Sequence, residues 1–81
     1  MMHAARIERS ERLQRVHALL SDGAEHSTYE IIAGAQVAAV NSIIAELRDN
    51  GFYIEGRWDR DKRTGRRVYR YRMPFAARVT S

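Results

Sequence analysis

The chain has 81 residues, with 14 Lys plus Arg against 10 Asp plus Glu, 3 His and no Cys, for a formal charge of +4. A chain this short buries only about 60% of the surface its unfolded form exposes, so it holds one modest core and has no room for a multi-domain enzyme. Zero Cys excludes disulfides and thiolate metal sites, and fits a cytoplasmic setting. The longest stretch without a charge, residues 31–45, is shorter than the ~20 apolar residues that span a bilayer. Arg6, Glu8, Arg9, Glu11 and Arg12 interrupt any apolar run near the N-terminus, so neither a signal peptide nor a membrane segment is expected.

Apolar residues at Ile7, Leu13, Val16 and Leu20 predict a first helix from Ile7 to about Ser21, stopped by Asp22-Gly23. Ser27-Thr28-Tyr29-Glu30 reads as a capping box that starts a short second helix at Thr28, interrupted near Gly34. A third helix is predicted over about residues 36–50, ended by Asn50-Gly51. Its core stripe is Val37, Val40, Ile43, Ile44 and Leu47, and its small polar face is Ala38, Asn41, Ser42, Ala45 and Asp49. After Gly51 the period changes to two, with Phe52, Ile54 and Trp58 on one side. Gly56 shares the Trp58 side and marks a bulge or bend. Residues 59–65 form a charged turn, and residues 67–73 a second strand with Tyr69, Tyr71 and Met73 on one face. Residues 25–27 are a candidate third, two-residue strand, and Pro74 ends the last strand. The whole reads as one domain, with a core over about residues 6–73 and a tail over 74–81.

Three helices followed by a two-stranded hairpin with a charged tip make an α+β fold with the order of a winged helix-turn-helix domain. The segment Ala35-Gln36-Val37-Ala38-Ala39-Val40-Asn41-Ser42-Ile43-Ile44-Ala45-Glu46-Leu47-Arg48-Asp49-Asn50-Gly51-Phe52-Tyr53-Ile54-Glu55 resembles small phage and prophage winged-helix proteins, as does Thr64-Gly65-Arg66-Arg67-Val68-Tyr69-Arg70-Tyr71-Arg72-Met73. The resemblance implies DNA binding by a transcriptional regulator or an architectural factor of the excisionase type. One departure stands out: Ile43 occupies a position where such sequences often carry Arg. It sits at the edge of the core stripe, either as core or as an exposed contact for a thymine methyl or a protein partner.

The charge is unevenly placed. Residues 1–55 hold five Arg against eight acids, whereas residues 56–73 hold eight basic residues against Asp59 and Asp61. Thirteen of the 14 basic residues are Arg, whose planar guanidinium suits bidentate phosphate and base contacts. Arg60, Lys62, Arg63, Arg66 and Arg67 are therefore the expected phosphate or minor-groove contacts, flanked on the strands by Arg57, Arg70 and Arg72. The solubility alternative, charge that protects sheet edges, usually favours Lys. Gln36, Ala38, Asn41, Ser42 and Ala45 are expected to face the major groove, and Thr28 and Tyr29 to offer a phosphate the free amides of the second helix. Glu46 and Asp49 would repel phosphate, which confines groove contacts to the N-terminal half of the third helix.

Catalytic chemistry is not expected. His3, His17 and His26 lack metal-ligand spacing, Ser27 already has a capping role, and no phosphate-binding or dinucleotide-binding Gly pattern occurs. The expected partner is double-stranded DNA, without metal or cofactor. A homodimer is expected to add specificity, with the first helix or the tail as its contact surface. The alternative is a winged-helix interaction module, such as a phage anti-defence inhibitor that binds a host protein complex.

Overall fold

The computed structural model describes residues 6–74. The helix expected from Ile7 to Ser21 is divided at Ser10. A 3-10 turn covers Ile7–Arg9, and α1 runs over Glu11–Leu20. Ser10 takes an extended conformation, and its Oγ accepts from the Leu13 amide at 3.3 Å, which satisfies one of the amides that a helix start leaves orphaned. The apolar period runs through this break and hides it. Gly23, at φ +76°, takes the left-handed conformation after α1, as Asp22-Gly23 suggested.

The strand β1, His26–Ser27, leads directly into α2, Thr28–Ala35. The capping box is present in full: Ser27 Oγ accepts from the Glu30 amide at 3.1 Å, and the Ser27 amide donates to Glu30 Oε1 at 2.8 Å. Gly34 does not interrupt α2. A Cβ there would lie 3.3 Å from Leu19 Cδ1, so the glycine lets α1 and α2 approach closely. The helix ends instead at Gln36, whose φ of +56° is left-handed and whose amide returns to the Ile32 carbonyl.

The third helix, α3, spans Val40–Asp49, four residues later than the expected start. Gln36 and Ala38 consequently belong to the turn between α2 and α3, which corrects their placement on a recognition helix. Val37 continues the apolar stripe without being helical, because it packs on the core from the turn. The C-terminus of α3 follows the expected pattern. Gly51 sits at φ +96°, its amide bonds the Arg48 carbonyl, and the Phe52 amide bonds the Leu47 carbonyl, completing a Schellman motif.

Strands β2, Glu55–Arg60, and β3, Arg67–Arg72, pair antiparallel with Trp58 opposite Tyr69 and Arg57 opposite Arg70. β1 adds to the other edge of β3, with His26 opposite Tyr71, so the order is β1-β3-β2. The candidate strand within residues 25–27 thus joins the expected two-stranded hairpin, correcting it to a three-stranded antiparallel sheet with the capped start of α2 fastened to it. The fold is α+β. From Phe75 onward the expected tail, with its part in a dimer contact, lies outside the described residues.

Leu13, Val16 and Leu20 of α1, Ile31 of α2, and Ile43, Ile44 and Leu47 of α3 are fully buried, each contributing roughly 1.5–3 kcal/mol relative to exposure. Ile54, Tyr71 and Met73 close the core from the sheet. Ile43, only 1% exposed, is core. Among the described residues the buried polar ones, Ser10 and Ser27, are both helix caps, so neither hydroxyl is orphaned. No single helix among the described residues is long and apolar enough to cross a membrane.

Candidate nucleic-acid interface

Side chains alternate across a strand, so the β2–β3 pair sorts its residues onto two faces. One face carries Glu55, Arg57 and Asp59 opposite Arg72, Arg70 and Val68. Here the cations are matched by acids. Arg57 donates through both Nε and Nη2 to Glu25, the second contact at 2.7 Å, and also reaches Asp59. Arg70 Nε bonds Asp59 Oδ2 at 2.9 Å. Arg72 pairs with Glu55 at 3.3 Å and donates to the Gly23 carbonyl at 2.9 Å. The Arg57 guanidinium holds the Glu25 carboxyl below its usual range. The Arg60 amide and the Arg70 side chain do the same for Asp59. Arg57 and Arg70, expected as flanking DNA contacts, are in the structure the cations of an internal ion-pair ladder.

The other face carries Gly56, Trp58 and Arg60 opposite Tyr71, Tyr69 and Arg67. Its aromatic rings form a row. Trp58 meets Tyr69 edge-on at 5.1 Å between centroids, and Tyr69 meets Tyr71 at 5.0 Å. Gly56 is neither bulge nor bend. A Cβ at that point would lie 2.5 Å from the Tyr69 hydroxyl, so the glycine makes room for the ring. Arg67 lies over the Trp58 ring at 4.5 Å, a cation-π contact.

At the tip, Gly65 takes φ +74°, and the turn closes through the Asp61 amide to the Arg66 carbonyl and the Gly65 amide to the Asp61 carbonyl. Asp61 spends its carboxylate on the Arg63 amide at 2.8 Å, and Arg60 donates to the Gly65 carbonyl at 2.7 Å. Residues 60–67 therefore gather Arg60, Lys62, Arg63, Arg66 and Arg67 around one acid. All five are exposed, and none has an acidic partner among the described residues. Arg60 and Arg67 stand opposite each other across the strands, a like-charge pair that an anion would relieve.

The aromatic face abuts α3. The Tyr71 hydroxyl donates to Asn41 Oδ1 at 3.1 Å, and burial pushes the Tyr71 phenol above its usual range. Between sheet and helix lies a groove of about 460 Å³ lined by Thr28, Asn41, Ile44, Arg48, Trp58, Tyr69 and Tyr71. Thr28 Oγ1 reaches the Tyr69 carbonyl at 3.4 Å, and Arg48 donates to the Ile54 carbonyl at 2.7 Å. Asn41, Ser42 and Ala45 lie exposed on α3 as expected. Glu46 turns away to pair with Arg12 at 2.9 Å, so the acidic flank of α3 is partly neutralised from α1. Ala39, which precedes α3, has no side chain that can cap it, and the Val40 amide turns back to the Ala38 carbonyl at 3.0 Å.

The structure thus brings Thr28 and Asn41 to the groove beside the sheet face that also carries Arg60 and Arg67, and separates Gln36 and Ala38 from α3. The sequence reading missed Arg48 and did not place Tyr69 and Tyr71 beside α3. The period-two alternation that puts Trp58 and Tyr69 on one face was the available signal. His26 bonds Asp22 at 3.0 Å and the His17 ring packs tilted against Phe52 at 4.5 Å, and among the described residues no three His, Asp or Glu side chains converge on a metal-sized site. No protein-family model, curated protein or solved structure matches this chain.

Proposed function

We propose that this protein is a winged helix-turn-helix DNA-binding module in which α3 enters the major groove of duplex DNA and the β2–β3 hairpin is the wing that grips the flanking backbone. The observation that carries the reading is the cluster of five exposed cations at the hairpin tip, without acidic partners among the described residues. Phosphates supply the anions that such a cluster lacks. Asn41 and Ser42 supply short polar side chains in the first turn of α3, where a recognition helix contacts base edges. With α3 beginning at Val40, its usable reading surface is Asn41, Ser42 and Ala45. Three small side chains specify little by themselves, which fits a regulator that dimerises or an architectural factor of the excisionase type, and the resemblance to phage proteins points the same way.

The rival reading, a module that docks on a host protein, draws on an exposed Ile43 and on the acidic balance of residues 1–55. Ile43 is buried. A fluorescence-anisotropy titration of labelled duplex over a range of salt tests the proposal. Binding whose logarithm falls with the logarithm of salt at a slope of about −4 to −5 supports four or five phosphate contacts. No binding to any duplex at low salt sinks it.

A further inference from the structure

The groove between α3 and the aromatic face of the sheet is built differently from the cationic tip beside it. Trp58 is 58% exposed, yet it is held in place by the edge of Tyr69 and the guanidinium of Arg67. Tyr69 is seated over Gly56, and Tyr71 is tied to Asn41. Pre-positioned rings of this kind lose little freedom when a planar group joins them. An intact duplex, however, offers base edges in its grooves and keeps base faces stacked inside. The half-exposed indole therefore has nothing in an intact duplex on which to stack. An unpaired base has a free face for Trp58, and an edge for the Asn41 amide, which carries both donor and acceptor atoms. The volume of the groove lies within the ~300–1,000 Å³ typical of small-ligand sites.

We propose that this groove takes one unpaired nucleobase, stacked on Trp58 and read along its edge by Asn41, while the tip cations hold the adjoining phosphates. The preferred DNA is then a duplex that carries an extrahelical base or a short single-stranded end. The inference rests on the DNA-binding reading of the tip, and the two fail separately in one experiment.

Trp58 is the sole tryptophan, so its emission reports the groove directly. The protein is titrated with three labelled DNAs of the same sequence: an intact duplex, the duplex with one extrahelical base, and the duplex with a short single-stranded overhang. Anisotropy gives affinity and Trp58 emission gives stacking. Binding about 5- to 100-fold tighter to an unpaired-base DNA than to the intact duplex, with quenching of Trp58 beyond that of the intact duplex, supports the proposal. The arm that shows it, extrahelical base or overhang, identifies where the base comes from. Trp58→Ala should abolish the preference and Trp58→Phe should restore part of it. Asn41→Ala, at an exposed helix position, reduces the preference in a fold whose circular dichroism is unchanged. Equal affinity and equal quenching on all three DNAs overturn base capture and leave the duplex reading standing. Absence of binding to all three at low salt overturns both.

Discussion

The two faces of the β2–β3 hairpin hold cations in almost equal measure and use them in opposite ways. On one face Arg57, Arg70 and Arg72 are each paired with an acid, Glu25, Asp59 or Glu55. On the other, and at the turn that joins the strands, Arg60, Lys62, Arg63, Arg66 and Arg67 have no such partner among the described residues. A count of basic residues does not distinguish these sets. The strand period does, because residues two apart share a face and a field, while neighbours in sequence do not. The matched face binds the sheet to the loop before β1 through Glu25. The unmatched face and tip are where an external anion gains most.

Removing the unmatched charges should have the largest effect. Arg63→Ala, Arg66→Ala and Arg67→Ala combined should weaken duplex binding on the order of 100-fold or more at low salt, and should reduce the salt slope by about three. Arg57→Gln with Arg70→Gln removes two guanidinium charges from the matched face. That pair should leave the slope within about half a unit of the unaltered protein, as read in the same anisotropy titrations. Equal losses in the two variants would break the distinction between the faces.

Much of the framework behind this contrast is legible in local chemistry. The capping box at Ser27 and Glu30 and the Gly51 stop at the end of α3 each need only a few neighbouring residues, and both stand where the pattern puts them. Ser10 was overlooked because the apolar spacing from Ile7 to Leu20 continues across it. The late start of α3 was hidden by Val37, which satisfies the helical stripe while packing from a turn, and by Gln36, a residue type that gives no sign of a left-handed φ. Pairing partners were less accessible still. Glu25 lies 32 residues from Arg57 in the chain, and nothing in the hairpin sequence indicates that its cations would be met from the loop before β1. The groove depended on the same long-range register, which brings Asn41 to Tyr71.

Smaller effects test the support of the unmatched face. Gly56→Ala places a methyl against the Tyr69 ring and should cost about 1–3 kcal/mol of stability, measured by urea unfolding, because the ring must leave the row it shares with Trp58 and Tyr71. Tyr71→Phe deletes the hydroxyl that bonds Asn41 and should cost about 1 kcal/mol. Gln36→Gly relieves a left-handed non-glycine residue at the end of α2. It should stabilise the fold by roughly 1 kcal/mol without altering DNA binding.

Acid separates the two faces most selectively, although by the smallest amount. Glu25 and Asp59 are held below their usual carboxylate range in the folded chain, Glu25 by Arg57, Asp59 by the Arg60 amide and then Arg70. The unfolded chain therefore binds more protons between the ordinary and the lowered values, and stability in that window rises with pH. Their contribution is complete above the ordinary range near pH 4 to 4.5, and it disappears as the pH falls through the folded-state values. Thermal melts between pH 3 and pH 6 should show a modest acid loss. The Arg57→Gln, Arg70→Gln variant should show less of it, since the two carboxylates there approach their ordinary range. The unmatched set consists of Arg and Lys alone and contains neither carboxylate nor imidazole. At pH 5 to 8 the salt slope of DNA binding should accordingly stay constant, and a slope that changed across that interval would place a titrating group among the contacts.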